Sequence, residues 1–192
     1  MFAAAILFAA TFPLGYLTEW HYRGTIRGDY KRLTPPRNAA TTMVVDSHAK
    51  VGRFEIAVLR GTPWGVSCFT TDSGRPPLTN VIIRDRNSYY HVQMQDPDPI
   101  MDVFHSAREV EEELQGYQPF IVMPMKGRKS IGCEAGSSMD CWTIEEQDGE
   151  FEITYRTNPD YEIINFRPEV GITRFRYNHN GSPCKIDLRL VR

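Results

Sequence analysis

The sequence predicts a mainly β (α+β) domain, an antiparallel meander forming an open or closed barrel packed around one main helix. Three observations predict it. Short runs in which apolar and polar side chains alternate with period two recur from Thr41 onward, each bounded by turn residues. The connections between these runs are short, and parallel neighbours would need crossovers of about a dozen residues or more, so the order is antiparallel. A single segment carries a convincing helical period.

Met1 to Thr18 holds no charged side chain and contains Ile6, Leu7, Phe8, Phe12, Leu14 and Leu17. A membrane-spanning helix needs about 20 apolar residues, and Pro13 and Gly15 interrupt this shorter run. Residues 1–17 are therefore expected to be a signal peptide or N-terminal membrane segment, with cleavage near Ala9 or Ala10, and 18–192 a single β-rich globular domain. Trp20, Tyr22 and Ile26 begin a first strand, and Pro35-Pro36 with Arg37-Asn38 is expected to interrupt it as a loop.

In Arg53-Phe54-Glu55-Ile56-Ala57-Val58, the side chains Phe54, Ile56 and Val58 share one face of a half-buried strand. Ile100, Val103, Phe104, Ala107, Val110 and Leu114 make the apolar stripe of a helix expected over Pro99–Gln115, with Asp98 as its N-cap and Gly116 as its stop. Cys141–Ile144 and Glu150–Arg156 flank Asp148-Gly149, a strong hairpin signal. Ile172–Tyr177 and Cys184–Leu190 flank Asn178-His179-Asn180-Gly181, whose residues tolerate positive φ.

The C-terminal third resembles a group of uncharacterised exported bacterial β-rich proteins. The resemblance rests on Thr154-Tyr155-Arg156-Thr157-Asn158-Pro159-Asp160, on Pro168-Glu169-Val170-Gly171-Ile172-Thr173-Arg174 and on the turn His179-Asn180-Gly181. The same pattern is loosely similar to the end of the periplasmic lipoprotein-carrier half-barrel fold. That resemblance implies a curved sheet wrapped on a helix and an exported location, whether periplasmic, cell-envelope or secreted. It brings no catalytic residues.

Composition narrows the function classes. A formal net charge of -2 argues against nucleic acid, because phosphate binders carry a basic face or a high pI. Arg174, Arg176, Lys185 and Arg189 share an outer strand face, but Asp187 breaks the patch and no aromatic stacking platform is interleaved with it. Metal binding by the cysteines is disfavoured, since no two are spaced as a zinc pair. Asp96, Asp98 and Asp102 lack the glycine and distal Glu of a calcium loop. Glu109, Glu111, Glu112 and Glu113 read as a solvated helix face, and the Asn180-Gly181-Ser182 sequon is followed by Pro183.

Two function classes stay open. One is a non-enzymatic exported domain holding a lipid, another apolar ligand or an envelope protein, with membrane contact through the N-terminal segment alone. Phe54, Ile56, Val58, Phe104, Phe120, Phe151, Tyr155 and Phe175 would line its pocket or simply fill the interior, the second being the simpler reading. The other is a hydrolase-like enzyme using Cys68 with His91, or the Asp96 to Asp102 acids. No catalytic, cofactor or metal site is assigned.

An even count of cysteines in an exported chain points to two disulfides. Cys68 follows Trp64 and Val66 on an inward strand face, and Cys184 shares an inward face with Ile186 and Leu188. Cys133 and Cys141 enclose a short segment with glycine and serines that can turn back. The expected pairs are Cys68 with Cys184 and Cys133 with Cys141. In the chain-entropy model the long loop contributes on the order of 4–5 kcal/mol, more than the short one. Non-reducing peptide mapping should recover these two linkages, and a 68–133 or 141–184 peptide would refute the pairing.

Overall fold

Alternation becomes strand pairing along the described residues of the computed structural model, which are 12–28, 36–66, 68, 79–94, 104–123, 127, 129–134, 137, 139–181 and 184–191. The first half carries β1 (Glu19–Gly28), β2 (Arg37–Val51), β3 (Phe54–Arg60), β4 (Thr79–Asp85), β5 (Ser88–Met94), the helix α1 (Ala107–Leu114) and β6 (Ile121–Val122). The second half carries β7 (Lys129–Ile131), β8 (Trp142–Gln147), β9 (Glu150–Arg156), β10 (Asp160–Arg167), β11 (Gly171–His179) and β12 (Cys184–Val191). All twelve strands join one antiparallel sheet in the order β6-β5-β4-β3-β2-β1-β12-β11-β10-β9-β8-β7. The first strand thus lies in the middle, between β2 and the last strand.

The sheet is open, with no pairing of β6 to β7. Yet Val122 and Lys129 are seven residues apart, so the two edges lie within about 25 Å of each other. The sheet therefore curls. One core cluster records the curl, because it draws Tyr22, Met43, Leu59, Ile82, Tyr89 and Phe120 from the first half and Ile144, Ile153, Ile164, Phe166, Phe175 and Leu188 from the second. These are the concave-face residues, and they bury one another.

The helix is not inside. Phe54, Ile56, Val81, Ile83 and Val92 point to the opposite face of β3, β4 and β5, where Phe104 and Val110 cover them as a separate cluster. A sheet wrapped around its helix, as the sequence predicts, is thus corrected: α1 caps a convex patch. A β-bulge between Val45 and Ser47 explains how β2 serves both cores. Before it Val45 faces the concave core, and after it Ala49 pairs with Ile56 on the convex side.

Two boundaries also differ. The helix starts at Ala107 rather than Pro99, and Ser106 is its N-cap, accepting the Glu109 backbone N–H at 3.3 Å. The expected cap Asp98 and first residue Pro99 lie outside the described residues. Arg37 and Asn38 belong to β2, paired with Ile26 and Thr25, instead of forming a loop.

Residues 1–11 lie outside the described residues, but the chain from Phe12 is packed into the concave core. Phe12 is 2% exposed and Leu14 3%. The Phe12 ring lies 5.8 Å from Trp20 and 5.5 Å from Phe166, and its backbone N–H donates to the Tyr89 hydroxyl at 3.3 Å. Gly171, at φ 96°, leaves the room: a Cβ there would sit 2.8 Å from both the Phe12 and Trp20 rings. The expected leader boundary after residue 17 lies beyond these buried residues, next to the exposed Tyr16 and Leu17.

A chain starting at Thr11 should accordingly fold with a higher urea midpoint than one starting at Thr18. Within the longer chain Phe12→Ala should cost about 3–5 kcal/mol. Equal midpoints for the two truncations would show that Phe12 and Leu14 contribute nothing to the core.

Candidate functional site

Gly61-Thr62-Pro63-Trp64-Gly65 follows β3, and its proline and glycines favour a turn over a strand. Pro63–Gly65 forms a 3₁₀ turn, which corrects the strand expected through Trp64 and Cys68. The turn projects the Trp64 indole between the two halves of the sheet. The ring stacks on His91 of β5 with centroids 4.1 Å apart, and it meets Phe120 at 6.4 Å and Phe175 of β11 at 6.1 Å. Its Nε1–H donates to Glu162 Oε1 of β10 at 2.9 Å.

Beside this indole lies a cavity of about 280 Å³. Trp64, Val66, Gln93, Glu162, Phe175 and Tyr177 line it, with Ile186 and the Cys68–Cys184 bridge on one side. The walls mix aromatic and aliphatic side chains with polar ones, which are the Gln93 amide, the Glu162 carboxyl and the Tyr177 phenol. Trp142 and Tyr155 continue the aromatic wall, at 4.8 Å from each other and 6.1 Å from Trp142 to Phe120.

The polar groups here are strongly perturbed. Burial pushes the Glu162 carboxyl up to about 7 from its ordinary 4.5; the hydrogen bond from Trp64 opposes the rise, and the negative charge of Asp160 adds to it. Burial likewise pulls His91 down to about 4, so the imidazole is neutral at pH 7. Its Nε2–H donates to Asn80 Oδ1 at 2.9 Å, and the Gln93 amide donates to the same oxygen at 3.3 Å. The His91 and Glu162 side chains are both partly buried, and Glu162 lines the cavity.

Next along β10, burial alone would raise Asp160, yet hydrogen bonds from Tyr177 and His179 hold it below the usual carboxylate range. The Tyr177 hydroxyl donates at 2.5 Å and His179 Nδ1 lies 2.7 Å away. Tyr155 and Tyr177 are raised, first by burial and in part by the neighbouring acids, Glu162 among them.

The sequence-predicted residues are only partly gathered here. Cys68 is bonded to Cys184 with Cα atoms 5.6 Å apart, and Cys133 to Cys141 at 4.9 Å, the pairs that strand faces and the short loop couple. With its sulfur in a disulfide, Cys68 is no nucleophile, and its proposed partner His91 stacks on Trp64 instead. Asp96, Asp98 and Asp102 lie outside the described residues.

The eight pocket candidates separate. Phe54, Ile56 and Phe104, with Val58 against them, belong under the helix. Phe120, Phe151 and Phe175 fill the concave core, and Tyr155 packs on Trp142. Of the eight, Phe175 lines the cavity. In the basic strip, Arg174 pairs with Asp187 at 2.6 Å and Arg176 with Glu152 at 2.8 Å. In the acidic run, Glu109 takes the His105 N–H, Glu111 pairs with Arg53, and Glu112 with Arg108.

No family model matches the chain, and no curated protein matches it. Among solved structures it is similar to a presumed exported protein of Bacteroides fragilis with a YmcC-like fold, at 12% identity and a TM-score of 0.40, covering 96% of this chain and 98% of that one. A likeness that distant assigns no site and does not extend to the lipoprotein carriers.

The two perturbed groups make opposite demands on stability. Between about pH 4.5 and 7 the folded chain keeps a proton on Glu162 that the unfolded chain releases, so stability falls as pH rises, by on the order of 3 kcal/mol. Between about pH 4 and 6.5 the unfolded chain protonates His91 and the folded chain does not, so stability rises with pH by a similar amount. Urea midpoints measured across this range should show Glu162→Gln gaining on the wild type as pH rises to 7. The advantage of His91→Gln should grow as pH falls toward 4. A pH-independent difference for either variant would remove that group from the list of strained charges.

Proposed function

We propose that this chain is a non-enzymatic exported domain that holds a small, largely apolar ligand in the cavity beside Trp64. The observation that carries the reading is the cavity itself: aromatic and aliphatic side chains beside an amide, a carboxyl and a phenol, with an indole fixed at both its ring and its N–H. Export is supported by the two disulfides, which persist in oxidising compartments, and by the uncharged apolar run at the N-terminus. A leader ending before Phe12, as cleavage near Ala9 or Ala10 would do, leaves the core intact. Periplasmic, cell-envelope and secreted locations all meet these requirements, and a lipid-like molecule presented by an envelope protein is a fitting source of ligand.

The cavity is small enough to be filled from its rim. Val66 lines it from an irregular segment, where a larger side chain does not disturb a strand. N-phenyl-1-naphthylamine, a neutral apolar fluorophore, should bind the full chain saturably, and Val66→Trp should weaken it about tenfold or more with an unchanged urea midpoint. Undiminished binding to Val66→Trp would place the ligand elsewhere, and no binding to the wild type would refute the proposal.

A further inference from the structure

Glu162 is out of keeping with the rest of the cavity. Its β10 neighbours on the same face are Ile164 and Phe166, both buried in the concave core, and the cross-strand partners beside it are Tyr155 and Tyr177. The hydrogen bond it accepts comes from a neutral indole. The charged group acting on it is Asp160, which bears the same sign and is already engaged by Tyr177 and His179. The arginines of the adjoining strands are engaged elsewhere: Arg174 and Arg176 pair with Asp187 and Glu152, and Arg156 lies over the Tyr161 ring. A carboxyl enclosed by aromatic faces, facing a cavity and lacking a described cation, is the arrangement that recognises a positive ligand.

We propose that the cavity takes an organic cation, an alkylated amine or quaternary ammonium whose charge meets the Glu162 carboxylate and whose alkyl groups lie against Trp64, Phe175 and Tyr177. This rests on the Trp64 cavity being the binding site. The space of about 280 Å³ accommodates a head group of that size with its apolar neighbour atoms. Aromatic rings combine apolar surface with a negative π face, so a lining of this composition suits charge and alkyl groups together. Binding requires the ionised carboxyl, so affinity rises with pH through the Glu162 titration. His91 is neutral and stacked, Tyr155 and Tyr177 are held protonated, and Asp160 is ionised well below this range. His179, held on Asp160, is the other group near enough to contribute, and the Glu162 variant separates the two.

The test compares choline with its neutral isostere 3,3-dimethylbutan-1-ol by ligand-observed NMR on the full chain at pH 8 and pH 5.5. Choline should bind about tenfold or more tightly than the isostere at pH 8. The preference should shrink at pH 5.5 and vanish at both pH values in Glu162→Gln, which keeps the side-chain shape and an acceptor for Trp64. Equal binding of the two compounds to the wild type would overturn the cation proposal while leaving an apolar site. Binding of N-phenyl-1-naphthylamine with neither compound binding would do the same. Failure of all three would overturn the site as well. A choline preference that persists with its pH dependence in Glu162→Gln would transfer the role to Asp160 and His179 and overturn the assignment to Glu162.

Discussion

The concave face of a single twelve-stranded sheet has to bury itself, and most of the structure follows from that constraint. The one described α-helix is committed to the convex side of β3, β4 and β5, so no described helix covers the inner face. Curling brings the two halves together, and aromatic side chains long enough to cross the gap provide the contacts. Phe12 reaches Phe166 and Tyr89, while Trp64 reaches His91 on one half and Glu162 and Phe175 on the other. Pairing β1 with both β2 and β12 places the chain's first and last strands at the centre, where neither is an exposed edge. The Cys68–Cys184 bridge then ties the segment after the Trp64 turn to β12, packed so closely on Gly28 that a Cβ there would lie 2.8 Å from Cys68.

Strand existence was legible because alternation and turn chemistry are local. Glu150–Arg156, with Asp148-Gly149 before it, is β9 as expected, and both C-terminal runs pair as β11 and β12. Which face a helix covers is not local. Ala107, Val110 and Leu114 define a stripe, but the stripe fits either side of a sheet, and both faces of β3 are apolar, with Phe54 and Ile56 on one and Ala57 and Leu59 on the other. The true helix start carried a readable signal in Ser106-Ala107-Arg108-Glu109, a capping-box pattern, which the more conspicuous Asp98-Pro99 overshadowed.

The site was the least legible part, for a definite reason. In Tyr161-Glu162-Ile163-Ile164-Asn165-Phe166 a lone Glu looks like an outward residue of a mixed strand. Counting by twos links it instead with Ile164 and Phe166, so the signal was a charged residue in phase with the core. Asn80 and His91 have the same property, in phase with Ile82 and Tyr89. Trp64 had no such signal, since its role depends on a turn that carries it across the interior to strands far away in sequence.

Burial of Glu162 is difficult to account for as a folding device. Trp64 needs an acceptor for its N–H, but a glutamine carbonyl would serve equally and would not have to be ionised in a water-poor space. Nor, among the described residues, does the carboxyl neutralise a buried cation: the charge acting on it is the like charge of Asp160. Asp160 itself shows the alternative, because Tyr177, His179 and the Thr157 hydroxyl hydrogen-bond its carboxylate and hold it below the usual range despite burial. On one strand, then, Asp160 has several donors, while among the described residues Glu162 has one neutral donor, Trp64, and lines a cavity. Glu162 thus breaks the agreement between residue type and surroundings that Ile164 and Phe166 keep on the same face, and it does so where it lines the cavity, the place at which the proposed partner of opposite charge would meet it.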